Sequence, residues 1–224
     1  MRTLMFVVCL FRTSSLAAQT DAFAPNPESR FPTIDVYASG LRIRDSDIEQ
    51  LTDTLTSAYP TELEKARAIF AWISENIAYD CGSENRLLQE PADAIHPIYF
   101  PQMQLKNILS TRRTRCEGYA FLFKLMCNLS GIYCTMLEGY ARFDGENVDP
   151  ATVRPNHAWN AARLDGAWFE IDLTAGAGHC DGPRFRRQRD DAYFRISAQL
   201  LERLYIPVND GRQLFNQGRI WLKR

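Results

Sequence analysis

The sequence contains no apolar run long enough to span a membrane as a helix, for which about 20 residues are needed. It has no excess of one charge: 26 basic residues stand against 27 acidic ones. The resulting formal net charge of −1 argues against a general nucleic-acid binder. There is no internal repeat and no low-complexity segment, so a solenoid or array is excluded. No cysteine–histidine spacing fits a zinc pattern, and the combination of Cys81, His179 and Cys180 does not supply one. Neither a metal nor an organic cofactor is expected. What is present is a hydrophobic content of 46% with 24% charged residues, enough to bury the core of one sizeable domain.

The chain divides into three parts. Met1-Arg-Thr3 is short and basic, Leu4 to Phe11 is apolar, and small residues follow at Ser15, Ala17, Ala22 and Ala24. Residues 1–24 read as a signal peptide, which implies a secreted or periplasmic protein. Without processing the chain would stay in the cytoplasm. Residues 25–43 carry Pro25, Pro27 and Pro32 and read as a linker or extended arm. Residues 44–224 form the main domain. Within it, 46–58 reads as a helix capped by Ser46. Residues 63–77 read as an amphipathic helix with Ala66, Ile69, Phe70, Ile73 and Ile77 inward and Trp72 packing outside the cleft. Residues 80–101, with three prolines and His96, read as a loop, and 102–109 as a short helix.

The chain is organised around residues 114–127. A polar, basic stretch ends at Arg115. Then Phe121, Leu122, Leu125, Met126 and Leu129 recur at helical spacing, and Gly131 stops the helix. Cys116 falls in the first turn, where unpaired N–H groups and the helix dipole favour an anion. A thiol placed there is suited to act as a nucleophile.

A base lies downstream. Two β-like runs flank Asp165-Gly166, a strong hairpin signal. With those residues in the turn, His157 faces Thr174 and Trp159 faces Asp172. His157 and Asp172 then share a face as diagonal neighbours, roughly 7–8 Å apart at the backbone. Cys116, His157 and Asp172 thus supply a nucleophile, a base and an acid to orient the base. Each alone has a plain structural reading, in a core or on a surface, and only their joint occurrence favours chemistry.

These residues carry a resemblance. Cys116-Glu-Gly-Tyr-Ala120, Gly131-Ile132, Glu138-Gly-Tyr-Ala-Arg142, His157-Ala-Trp-Asn160 and Ile171-Asp-Leu-Thr174 occur in the order and spacing of the transglutaminase-like superfamily of papain-like Cys-His-Asp enzymes. Tyr193-Phe194 through Gln213-Leu-Phe215 resembles the tail of its bacterial and kyphoscoliosis-type branch. The likeness spans roughly residues 44 to 216. Two departures stand out: Thr114 replaces a usual Gly, and Ala175 replaces a usual Trp. The resemblance implies an α+β papain-like core, with a helical N-terminal part whose nucleophile helix packs on an antiparallel β-sheet.

It also implies thiol-dependent acyl transfer or hydrolysis on a protein or peptide carboxamide through a thioester. Cys116 N–H would be one oxyanion donor, and Gln102 and Gln104 are candidates for the second. A lysine-like acceptor would make the protein a cross-linking transglutaminase, and water would make it a cysteine peptidase or amidase. A silent peptide-binding module is the alternative from another class. Partners are expected to be protein or peptide substrates, in bacterial-type members those of the cell envelope. The acidic calcium loop of animal transglutaminases has no counterpart.

Removing residues 1–24 leaves Cys81, Cys116, Cys127, Cys134 and Cys180. An odd number in an exported chain leaves at least one thiol free, and Cys116 is the candidate. The other four allow up to two disulfides of unassigned pairing, with Cys127 expected in the core. Residues 175–182 read as flexible, and the basic run 184–189 as a solvated loop.

Overall fold

The computed structural model describes residues 27–42, 47–82, 101–143 and 148–208, the side chains at 27 and 101–104 excepted. The signal-peptide residues, Ser46, His96, most of the 80–101 loop and the Gln213-Leu-Phe215 segment lie outside the described residues.

The first departure from expectation is at the N-terminal side. Residues 31–40 are not an extended arm but a helix, α1 (Phe31–Gly40), which starts with Pro32 in its first turn. Proline is tolerated there because its missing N–H has no helical partner anyway. Ile34 and Ala38 are buried. Asp35 binds Arg67 through two hydrogen bonds of 2.7 Å, and Asp191 takes a third from the same guanidinium at 2.7 Å. Rings of Phe31 and Phe194 lie 4.9 and 5.2 Å from that guanidinium carbon. Apolar periodicity over ten residues was too short to reveal this helix; an ion cluster around the buried Arg67 guanidinium holds it.

Helix α2 (Ile48–Thr56) is capped by Asp47, whose carboxylate accepts from Glu49 N and Gln50 N. Helix α3 (Glu62–Asn76) begins with a capping box between Thr61 and Glu64. Its five expected inward residues are buried, but so are Trp72, Ala68, Ala71 and Ser74, so it is a central helix rather than an amphipathic one. Trp72 donates its indole N–H to Leu41 O at 3.2 Å.

A short strand, β1 (Ala78–Tyr79), follows; after it come α4 (Pro101–Thr111) and β2 (Arg113–Thr114), which pairs in parallel with β1. Helix α5 (Cys116–Leu129) then packs its Tyr119, Leu122, Phe123, Met126 and Cys127 side inward. Leu129, expected on that side, is 42% exposed. Gly131 takes φ 82°, the left-handed conformation that ends the helix.

The main sheet is built from β3 (Cys134–Ala141), β4 (His157–Leu164), β5 (Ala167–Ile171) and, at the far end, β8 (Tyr205–Pro207). They form an antiparallel sheet in the order β5-β4-β3-β8. The β4–β5 turn is the expected one. Leu164 pairs with Ala167, and Asp165 and Gly166 take φ 49° and 89°, a type I′ geometry. The turn is also tied to the start of α3, because Glu62 N donates to Asp165 Oδ1 at 2.9 Å and Asp165 N to Glu62 Oε2 at 2.7 Å.

Between β5 and β8 lie α6 (Leu173–Ala177), β6 (Gly178–Asp181), β7 (Arg184–Arg187) and α7 (Ala198–Leu204). Residues 178–181 and 184–187 are therefore paired strands rather than loops, although Arg184, Arg186 and Arg187 are solvent-exposed as expected. Three attachments account for this. Cys180 forms a disulfide with Cys81. Arg187 donates to Ile77 O at 3.0 Å and also to Ser74 O. Arg189 donates to Asp35 Oδ2 at 2.7 Å. The architecture is α+β, with the nucleophile helix against an antiparallel sheet, as expected.

Candidate active site

Cys116 opens α5. Its preceding residue, Arg115, is extended and makes no side-chain cap, so the first-turn N–H groups are not taken up by a capping side chain. Cys116 is buried, 6% exposed, and is a free thiol, as are Cys127 and Cys134. The unusual Thr114 has a local partner in Gly118. A Cβ built on Gly118 would lie 1.8 Å from Thr114 Oγ1 and 2.8 Å from its Cβ. The hydroxyl residue before the cysteine is accommodated because the next turn of helix has no side chain.

His157 and Asp172 meet, but not by the expected route. Strand pairing stops at Ile171, which pairs with Asn160, and His157 pairs on its other side with Gly139. Asp172 leaves the sheet and caps α6. Its Oδ1 accepts from Thr174 N at 2.8 Å and Ala175 N at 3.2 Å. Its backbone N–H donates to Tyr193 O at 3.0 Å. The turn brings Oδ2 to 2.7 Å from His157 Nε2. Since Nε2 is engaged by Asp172, Nδ1 is the nitrogen available to Cys116, whose proximity helps to raise the imidazole pKa.

Four further residues complete the surroundings, of which the sequence had pointed to Trp159, in its motif and opposite Asp172. Tyr205 donates to Asp172 Oδ2 at 2.7 Å. Trp159 stacks on His157 at 5.9 Å with the planes 13° apart. Glu170 accepts the Trp159 indole N–H at 2.8 Å. Phe143 stands edge-on to His157 at 5.2 Å. No local pattern marks the other three, because they come from neighbouring strands and a distant segment. Tyr79, from β1, reaches the same centre.

The electrostatics follow from burial and charge. Burial of His157 disfavours its cation, but the Asp172 charge and hydrogen bond, and then Cys116, outweigh this and raise its pKa to about 10. Burial opposes the charge on Asp172, yet His157 and the Tyr205 phenol hold its carboxyl below its ordinary value. Burial, then the proximity of Cys116, pushes the Tyr79 phenol up to about 12. The three groups are thus arranged to keep an imidazolium beside a carboxylate.

A cleft of about 740 Å³ opens over His157, walled by Tyr79, Phe143, Ala175, Cys180 and Tyr193 among others. Ala175, one of the two departures from the resembling pattern, forms part of that wall. Cys116 is not among the described lining residues. Gln102 and Gln104 belong to α4, and their side chains lie outside the described residues. Among the described residues, no group of three or more His, Cys, Asp or Glu could hold a metal. Cys81 and Cys180 are consumed by their disulfide.

The model of the transglutaminase-like superfamily matches residues 49–173. The human protein named Kyphoscoliosis peptidase is 32% identical over 188 residues, 83% of this chain and 27% of that protein. Hillarin of Drosophila melanogaster is 25% identical over 200 residues, 82% of this chain and 23% of the fly protein. The chain therefore spans about a quarter of the length of these curated relatives. Among solved structures, one described as a TGase aligns at a TM-score of 0.43 and 18% identity, covering 81% of this chain and 40% of that one. The periplasmic domain of TgpA from Pseudomonas aeruginosa aligns at 0.39 and 18%, covering 64% and 47%.

Proposed function

The chain belongs to the transglutaminase-like superfamily, and on that premise we propose that Cys116, His157 and Asp172 act as a nucleophilic triad on a protein or peptide carboxamide. The observation that carries this reading is the position of His157. One ring nitrogen lies 2.7 Å from a fully buried carboxylate, and Asp172 and then the Cys116 thiol at the start of α5 raise the pKa of the ring.

The chemistry runs in two halves. With the Cys116 proton already held by the His157 imidazolium, the sulfur attacks the carbonyl carbon, and the carbonyl oxygen takes the negative charge. Cys116 N–H, at the positive end of α5, is the donor for that oxygen. The intermediate collapses to a thioester as the C–N bond breaks, and His157 returns its proton to the departing amine or ammonia. An incoming water or amine then gives a proton to His157 and attacks the thioester, and the thiol is regenerated. Asp172 holds the ring orientation and favours its charged form throughout. Water as the acceptor, a peptidase or amidase outcome, draws support from the name of the human relative.

The Cys81–Cys180 disulfide supports an oxidising compartment, consistent with export and with substrates of the cell envelope. The test is mass spectrometry of a glutamine-containing peptide incubated with the protein, with and without a primary amine, beside Cys116→Ala. An amine adduct lost in the variant establishes acyl transfer. Hydrolysis alone, also lost, establishes the peptidase or amidase outcome. An unchanged peptide together with uniformly slow iodoacetamide labelling of Cys116 overturns the triad and leaves a peptide-binding module.

A further inference from the structure

Two arginines line the cleft over His157, and they differ. Arg189 is engaged: its Nη2 donates to Asp35 Oδ2 at 2.7 Å and its Nε pairs with Asp191 Oδ1 at 3.2 Å. Arg142 has no hydrogen bond or ion pair from its guanidinium among the described residues, and its Nε is buried without an acceptor. Buried donors are nearly always satisfied, so such an exception calls for a partner that arrives from outside.

The backbone that carries this side chain is held on both sides. Asn156 Oδ1 accepts from Ala141 N at 2.8 Å, and Asn156 Nδ2 donates to Ala141 O at 3.1 Å. Arg142 N donates to Leu204 O at 3.0 Å. The next residue, Phe143, lies edge-on to His157. A guanidinium is therefore presented from a pinned strand end, one residue from the ring that contacts His157. The acidic side chain among the described lining residues, Asp190, already accepts Ala192 N at 2.9 Å.

We propose that Arg142 binds a carboxylate of the substrate close to the reacting carboxamide, so that the cleft selects acidic peptides. The inference rests on the acyl-transfer reading of the site. A guanidinium offers a planar fork that a carboxylate can match with two parallel hydrogen bonds, and such charge-assisted pairs are the strong ones. The carboxylate can come from an Asp or Glu side chain or from the end of a peptide.

The experiment uses the full chain carrying Cys116→Ala, so that binding is read without turnover. Fluorescence anisotropy is recorded for labelled, C-terminally amidated peptides with one glutamine flanked by Glu, by Ala or by Lys. A fourth peptide, flanked by Ala, keeps its free C-terminal carboxylate. A carboxylate-bearing peptide is expected to bind about tenfold more tightly than the amidated Ala peptide. Tight binding of the Glu peptide assigns a side-chain carboxylate, and tight binding of the free-acid peptide assigns a terminal one. Adding Arg142→Met, which keeps the apolar stem, abolishes the preference. Adding Arg142→Glu turns it toward the Lys peptide, and adding Arg142→Lys retains part of it. Equal binding of all four peptides, no binding of any, or a preference that survives Arg142→Met overturns the proposal. Turnover of the Ala peptide by the unmodified protein, lost in Cys116→Ala, is scored separately. The triad can thus stand where Arg142 fails, and the reverse.

Discussion

Tyr205 and His157 meet the same oxygen of Asp172, each at 2.7 Å. One partner comes from the strand that starts the β4–β5 hairpin and the other from the last strand of the sheet. The Tyr205 hydroxyl helps to hold Asp172 ionised in a site where burial works against its charge. Tyr205→Phe keeps the ring that packs 5.1 Å from Trp159 and 5.8 Å from Phe143 but removes the donor. We expect a loss of roughly 1.5–3 kcal/mol in urea unfolding, the range for hydrogen bonds to charged groups. The acid limb of Cys116 alkylation by iodoacetamide should move to higher pH, because Asp172 then protonates more readily. An unmoved acid limb would count against this role.

The imidazolium–carboxylate pair makes a prediction whose sign can be worked out. The folded pKa of His157 is raised from 6.5 to about 10. Its contribution to stability is therefore full below pH 6.5 and is lost as pH rises through about 10. Asp172 is depressed below 3.8, so its contribution is present above that value and is lost as pH falls through the folded pKa. The stability advantage of the unmodified protein over Asp172→Asn should be greatest between about pH 4 and 6.5. It should shrink toward pH 10. Thermal or urea unfolding across that range checks it, and an advantage that grows toward pH 10 refutes it.

Thr114 and Gly118 should be energetically coupled. Gly118→Ala places a methyl 1.8 Å from Thr114 Oγ1, and rotating the hydroxyl does not relieve it, since Thr114 Cβ is also within 2.8 Å. The cost should be about 1–3 kcal/mol, as for other overpacked sites. Thr114→Gly in the same chain should recover most of it. Additive effects in the double variant would show that the two residues do not oppose one another.

The Asp35–Arg67 pair decides whether α1 belongs to the domain. Asp35→Ala leaves Arg67, whose side chain is 2% exposed, with Asp191 as its one counter-charge among the described residues, and it also removes one of the two carboxylate partners of Arg189. Breaking a buried pair from one side should cost about 3–5 kcal/mol. A change under 1 kcal/mol, measured by chemical denaturation, would show that α1 is an appendage.

Several features of the site were legible in the residues because their causes are local. An apolar helical repeat stopped by Gly131 places Cys116 at a helix start, and Asp165-Gly166 can turn a hairpin at φ values few other pairs adopt. Those two signals, with the motif order, led to the cysteine, the histidine and the aspartate. Other features were set at long range. Asp172 reaches His157 by leaving the ladder to cap a five-residue helix too short to leave a periodic pattern. Tyr205 arrives from 33 residues beyond Asp172. Cys81 finds Cys180 across 99 residues, although the sequence alone allowed any pairing among four cysteines. Helix α1 and strand β7 are kept by charges from three separate segments, Asp35, Arg67 and Arg189 with Asp191. By itself, then, the sequence determined the chemistry on offer and the turns that aim it, because periodicity and backbone preference act between near neighbours. Only the tertiary structure decided which carboxylate oxygen meets the imidazole, which cysteines join and which arginine in the cleft is left without a partner among the described residues, because those depend on burial shared between distant parts of the chain.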